Sequence, residues 1–175
     1  MGKVFDGRGR QRDASDFPAI AVGTMVSRDI ARARKFYEEF FGLDCVCHAP
    51  GKMLLRDSVS RRLMEQGKPG AFVIEVREVD EIEHPQCLLN HWGFLVDSNE
   101  EVDRIRAIAL ERQEELGLKT VHPTTKIHGS YQFYFCDVDE NWWEVECKPA
   151  GRTMNSVFEG GDFKRKPKKV AEVQS

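Results

Sequence analysis

Apolar positions along the chain fall into two kinds of run. Ala19 to Val26 (AIAVGTMV) is nearly continuous and of strand length, and behind it Ile30, Ala33, Phe36, Tyr37, Phe40 and Phe41 recur at helical spacing over Asp29 to Phe41. Gly42 stops that helix. Shorter extended runs follow at Asp44 to Ala49, Lys52 to Arg56 and Ala71 to Arg77, the first two separated by the turn residues Pro50 and Gly51. The same order then repeats. A strand over His91 to Val96 (HWGFLV) precedes a helix over Asn99 to Leu116, capped by Ser98 or Asn99 and stopped at Gly117. Strands are predicted after it near Leu118 to His122, Tyr131 to Asp137 and Trp142 to Lys148.

The repetition has a register. A shift of 69 residues lays Ile74-Glu75-Val76 on Trp143-Glu144-Val145 and Val22 on His91. Gly42-Leu43 meets Gly117-Leu118 only at a shift of 75, so the second helix is longer by about six residues. The expected architecture is α+β, built from two βαβββ modules over about 18–80 and 88–149, each too small to close a core alone.

Composition bounds what such a chain does. Of its 175 residues 41% are hydrophobic and 31% charged, which supplies a core and restricts disorder to the ends. A net charge of -3 argues against a basic surface for nucleic acid. Residues 1–17, polar and without period, read as an arm. Residues 150–175 carry six basic side chains against three acidic, a net +3 that leaves -6 for the rest. The run Lys164 to Lys169 reads as a solvated tail, with contact to a nucleic acid or an acidic partner as the alternative. No apolar run reaches the ~20 residues of a membrane span and the start lacks a signal-peptide core, so a cytoplasmic protein with no membrane partner is expected. Five cysteines, an odd number with no CxxC, fit a reduced compartment.

Three motifs carry a resemblance. Phe36-Tyr37 with Phe41-Gly42-Leu43 resembles the "FYxxxLGL" helix end of the vicinal oxygen chelate superfamily, which includes glyoxalase I, bleomycin-resistance proteins and type I extradiol dioxygenases. His91-Trp92-Gly93-Phe94-Leu95-Val96 resembles the "HxxFxV" strand that opens its second module. Tyr134 to Glu144 (YFCDVDENWWE) resembles the signature "YFxDPDGNxxE". The resemblance implies two βαβββ modules whose mixed sheets curl around a cleft, the glyoxalase/dioxygenase-like fold, in a protein that commonly forms homodimers.

It also implies a metal site. His91 and Glu144 fall on the family's ligand positions, and an imidazole with a carboxylate suits Fe(II), Mn(II), Zn(II) or Ni(II). The alternative is a strand-edge histidine beside a solvated glutamate. Where relatives place the first module's ligand this chain has Val22, which binds no metal, and Glu75 is the candidate replacement or an exposed alternating residue. Resemblance to extradiol dioxygenases adds Tyr134, ten positions before Glu144, and His128 in a His-Gly context, with Fe(II) as the implied metal. Tyr134 would hydrogen-bond a bound oxygen and His128 would move a proton, unless the first simply packs in its aromatic strand and the second is a plain loop residue. His84 ranks behind His128, and His48 and His122 are expected to be structural or exposed. Of Trp142 and Trp143, one is expected in the core and the other free to stack on an aromatic ligand.

Three functions follow: an extradiol-type dioxygenase acting on a small aromatic diol, a glyoxalase-like isomerase or lyase using Glu75, His91 and Glu144, and a metal-free binding protein of the bleomycin-resistance type.

Overall fold

The computed structural model describes residues 4–5, 11–12, 20–68, 70–127, 129–150 and 153–159, so the expected arm over 1–17 and tail over 150–175 lie largely outside the described residues. The chain divides into two compact units. One extends to Cys87 and takes in Asp137–Asn141; the other begins at Leu88 and includes the strands on either side of that turn. Near the start, β1 (Val4–Phe5) pairs with β2 (Gln11–Arg12) in a short antiparallel ladder.

In the first unit the elements are β3 (Val22–Ser27), α1 (Ile30–Glu39), β4 (Asp44–Ala49), β5 (Lys52–Arg56), α2 (Ser58–Glu65) and β6 (Val73–Glu78). They form a mixed sheet in the order β3-β6-β5-β4, parallel between β3 and β6 and antiparallel elsewhere. Asp29 starts α1 by accepting the Arg32 amide at 2.9 Å, which satisfies one of the donors a helix start leaves open. The helix then buries Ile30, Ala33, Phe36 and Tyr37, one apolar stripe. Strand alternation presents Met25, Met53, Leu55 and Val76 as buried partners, each large side chain contributing about 2 kcal/mol by leaving water.

Helix α2 carries a short apolar stripe, Val59 with Leu63 and Met64, over barely two turns, and its one buried residue is Ser60. Polar bonds hold it instead: Asp57 accepts the Ser60 amide at 2.6 Å, and the Ser60 hydroxyl accepts the Phe72 amide at 3.1 Å.

The second unit contains β7 (Trp92–Leu95), α3 (Asn99–Glu111), α4 (Gln113–Leu116), β8 (Thr120–Val121), β9 (Thr125–Ile127), β10 (Ser130–Cys136) and β11 (Trp142–Cys147), followed by α5 (Met154–Glu159). Its sheet runs β7-β11-β10-β8, with β9 also on β10. Ser98 is the cap of α3, accepting the Glu101 amide at 3.1 Å. The single helix expected over Asn99 to Leu116 breaks at Arg112, and Gly117, at φ +67, ends α4 in the left-handed conformation a stop requires. Phe133, Phe135, Trp143 and Val145 are fully buried, and the Trp143 ring stacks on Phe94 at 5.7 Å. The five cysteines are free thiols.

The 69-residue shift reappears in the backbone pairing. In the parallel pair β3/β6, Gly23, Thr24, Met25 and Val26 face Ile74, Glu75, Val76 and Arg77. In β7/β11, Trp92, Gly93, Phe94 and Leu95 face Trp143, Glu144, Val145 and Glu146, each residue the same shift further on. Glu75 and Glu144 therefore occupy equivalent places in two independently formed sheets.

The most distinctive stretch of sequence turns out to be a tied turn. Asp137 Oδ1 accepts the amides of Asp139 and Asn141 at 2.9 and 3.0 Å. Asp139, 2% exposed, accepts Ser27 Oγ at 2.6 Å, the Arg28 amide at 3.2 Å and Arg32 Nη2 at 2.8 Å. Tyr37 donates its hydroxyl to Asp137 at 3.4 Å. Complete burial, and then the Asp137 charge, hold that phenol well above its ordinary pKa. Glu140 stands where the resembling signature has glycine, at φ +65.

Candidate metal and substrate site

The second sheet has two unlike faces because its strands alternate. One carries Phe133, Phe135, Trp143 and Val145; the other carries Ser130, Gln132, Tyr134, Glu144 and Glu146. Register places Tyr134 opposite Glu144 and Gln132 opposite Glu146, while Gly93 of β7 lies on the far side of Glu144.

His91, just before β7, brings its Nε2 to 3.1 Å from Glu144 Oε2. Its Nδ1 is 2.6 Å from the Leu88 carbonyl oxygen, which can only accept, so Nδ1 carries the hydrogen. That assignment leaves the Nε2 lone pair aimed at a carboxylate. Two electron-rich atoms at 3.1 Å repel unless a positive charge is shared between them, either a proton on Nε2 or a metal ion bound by both groups. A backbone carbonyl on the distal nitrogen is also the arrangement that orients metal-binding histidines. The donor set therefore fits a divalent ion. Among the described residues no cluster of three or more His, Cys, Asp or Glu side chains could hold a metal, and what they offer here is the His91–Glu144 pair.

Tyr134 packs its ring edge on His91 at 5.1 Å. Burial first, and the Glu144 carboxylate next, raise its phenol above the ordinary value, keeping it a hydrogen-bond donor at neutral and moderately alkaline pH. Its oxygen accepts from Gln132 Nε2. Further along the same face Lys148 Nζ donates to Glu146 Oε2 at 2.6 Å and to Ser130 Oγ at 3.2 Å. Thr125, opposite Gln132, has a buried hydroxyl with no hydrogen-bond partner among the described residues. None of Ser130, Gln132, Glu146, Lys148 or Thr125 was singled out by motif, although stepping by two from Glu144 reaches both Glu146 and Lys148.

The remaining candidates are placed differently. Glu75 is bound by Arg77 Nε, the main cause of its lowered pKa, and lies 3.4 Å from His48 Nε2 in the first unit. Val22 is 60% exposed at the start of β3. His84 is exposed, and His122 sets its ring edge against Trp142 at 5.3 Å. Trp143 is the core tryptophan, and Trp142 shares the Glu144 face by alternation. His128 lies outside the described residues.

The family model of the glyoxalase/bleomycin resistance protein/dioxygenase superfamily matches residues 19–145, a span that holds the His91–Glu144 pair and, but for the last two residues of β11, the strands of both larger sheets. The chain belongs to this superfamily. Among solved members, a possible glyoxalase from Bacillus cereus is 27% identical and covers 73% of this chain and 97% of its own, with a TM-score of 0.53. FosX, a fosfomycin resistance protein from Listeria monocytogenes, is 20% identical over 78% of this chain and 96% of its own, with a TM-score of 0.52. FosX from Mesorhizobium loti is 19% identical over 82% and 99%, with a TM-score of 0.54. A mutant of the Listeria protein, 19% identical to this chain, was solved with Mn(II) and 1S,2S-dihydroxypropylphosphonic acid. No curated protein matches the chain. Among the described residues of this superfamily member no helix is long and apolar enough to cross a membrane.

Proposed function

We propose that this chain is a divalent-metal enzyme that takes a small substrate with two adjacent oxygens, and that its chemistry is of the extradiol type on an aromatic diol, with Fe(II) as the working metal. The observation that carries the reading is the His91–Glu144 pair: a 3.1 Å approach whose outer nitrogen is already committed to Leu88. A bound metal would supply Lewis-acid chelation of the two substrate oxygens and an open position for dioxygen.

The chain's own groups do the rest. Glu144 on β11 and His91 just before β7 would hold the ion, one as a carboxylate and the other as an imidazole ligand. Tyr134, protonated because burial disfavours its phenolate, donates to a substrate oxygen beside that pair. Gln132, donating to the Tyr134 oxygen, turns the phenol hydrogen away from itself and toward Glu144, the other hydrogen-bond partner of Tyr134. His128 is the proposed proton carrier. The Arg77 guanidinium on Glu75 favours this two-donor pair over a set that recruits Glu75.

Metal analysis of chelator-free protein, followed by oxygen uptake with a panel of catechols, tests the proposal. One Fe(II) per chain, lost in His91→Ala, together with uptake on at least one catechol, is the expected result. Stoichiometric metal without uptake refutes the dioxygenase chemistry, and absence of metal refutes the site.

A further inference from the structure

The first unit brings two thiols to one face of one strand. Cys45 and Cys47 stand two apart on β4, which ends the sheet order β3-β6-β5-β4 and is therefore an edge strand. Across β5 they are paired with Leu55 and Met53, both buried. Strand alternation turns both sulfurs to that same side, the one α1 packs against. Val22, Glu75 and Asp44 lie on the opposite side, as their register with Val73, Leu54 and Arg56 requires. Cys45 is half-buried and Cys47 is exposed.

The two sulfurs are within electrostatic reach of each other, and the Arg34 guanidinium of α1 is within reach of both. Residues two apart on a strand are separated by about 6.6 Å. That spacing is too wide for an unstrained disulfide, whose Cβ atoms approach to about 3.8 Å, and both cysteines are free thiols. It suits a linear sulfur–metal–sulfur unit, which spans about 4.6 Å at bonds of about 2.3 Å, because two side chains leaning toward each other from one face close the difference. Thiolates are soft ligands and select soft ions over the hard ones that carboxylates hold. The neighbouring carboxylates are engaged elsewhere. Arg34 holds Glu38 at 2.8 Å, while Arg56 and Arg61 hold Asp44 at 3.1 and 3.2 Å.

We propose that Cys45 and Cys47 bind one Cu(I) ion as a bis-thiolate on the α1 side of β4. Each sulfur forms a bond to copper and gives its proton to solvent. A monovalent cation and two neutral thiols thus become a singly negative complex and two protons, with no change of oxidation state. Arg34 supplies the positive charge beside that complex. Exposed Cys47 is the point of entry, and half-buried Cys45 shields one side of the ion. Burial first, and the Glu38 carboxylate next, push the Cys45 thiol up to about 12, so the empty site holds a neutral thiol there whose proton the ion displaces.

Anaerobic titration of the full chain with Cu(I) against bicinchoninate, in EDTA and a reductant without thiols, tests this apart from the divalent site. One Cu(I) per chain, with two sulfur neighbours in X-ray absorption, is the expected result. Cys47→Ser, at an exposed strand position that does not threaten folding, should lower Cu(I) affinity about 100-fold or more, beyond the effect of losing an outer partner of a metal ligand. Cys45→Ser should do the same, Arg34→Gln should cost about tenfold, and Cys87→Ser should change nothing. No Cu(I) held against the chelator, parent-like affinity in Cys45→Ser, Cys47→Ser or Arg34→Gln, a requirement for Cys87, or one ion bridging two chains in size-exclusion chromatography each overturns the proposal. His91→Ala should hold Cu(I) like the parent protein, so failure of the divalent-metal reading and failure of this one give different results.

Discussion

Gly93 lies directly across the parallel pair from Glu144, and a Cβ at position 93 would come within 3.4 Å of Glu144 Oε2. The carboxylate rests on bare backbone. Alanine brings only ordinary contact there, whereas a branched side chain occupies the space the carboxylate uses on its way to His91. Gly93→Val is therefore expected to lower metal affinity about 10- to 100-fold while Gly93→Ala stays within a few-fold of the parent. Competitive titration with a metal-chelating dye reads the difference, and equal affinities for the two variants would contradict the geometry.

Asp139 is the acceptor on which the Asp137–Asn141 turn depends, with Ser27, Arg28 and Arg32 all donating to it. Asp139→Ala strands these donors and should cost about 2–4 kcal/mol, lowering Tm by roughly 5–12 °C in a chain of this size. Thermal unfolding followed by circular dichroism measures it. A shift below about 2 °C would show that the turn is held by something else.

Glu140 takes a left-handed conformation, φ +65, without the freedom of glycine. Its ion pair with Arg28, at 3.6 Å and partly solvated, returns little. Glu140→Gly should stabilise the protein by about 0.5–1 kcal/mol, raising Tm by roughly 1–4 °C. Denaturant unfolding at constant slope checks the sign, and a loss of stability would mean that the Arg28 contact outweighs the strain.

Tyr37 and Tyr134 both have phenols raised by burial, with carboxylates adding to the effect. A pKa higher in the folded than in the unfolded chain means that the folded protein holds the proton longer. The stabilisation is complete below the unfolded value of about 10 and is lost as pH climbs toward the folded values. Alkaline titration should show fewer phenolates in the native protein at pH of about 11 than in denaturant, with stability falling steadily above pH of about 10. Identical native and denatured titration curves would refute the burial of both rings.

Much of the fold was legible because its elements are amphipathic. The Ile30-Ala33-Phe36-Tyr37 stripe of α1 and the bounds of β4 and β5 were present as spacing, and the repeat shift appears unchanged in the pairing of both sheets. Helix α2 was not legible because its apolar spacing, Val59 with Leu63 and Met64, lasts barely two turns, and the bonds that hold it run through Asp57 and Ser60. The break of the long second helix at Arg112 has no proline or glycine to mark it. At the site, motif spacing pointed to His91, Glu144 and Tyr134, which the second sheet brings together. Lys148, Glu146, Gln132 and Thr125 escaped notice because a polar row on one sheet face looks in sequence like ordinary solvent-facing alternation. The partners of Glu75 depend on a β-bulge between Cys47 and Ala49 at His48, a local irregularity that no period encodes.

The group that orients His91 is a main-chain oxygen, supplied by Leu88. Whatever side chain position 88 carries, that oxygen remains. Random substitution there can drift without touching the imidazole's hydrogen, so a mutational scan should find position 88 permissive beside an intolerant 91. The part of this site most immune to genetic change is therefore one that a comparison of side chains would pass over.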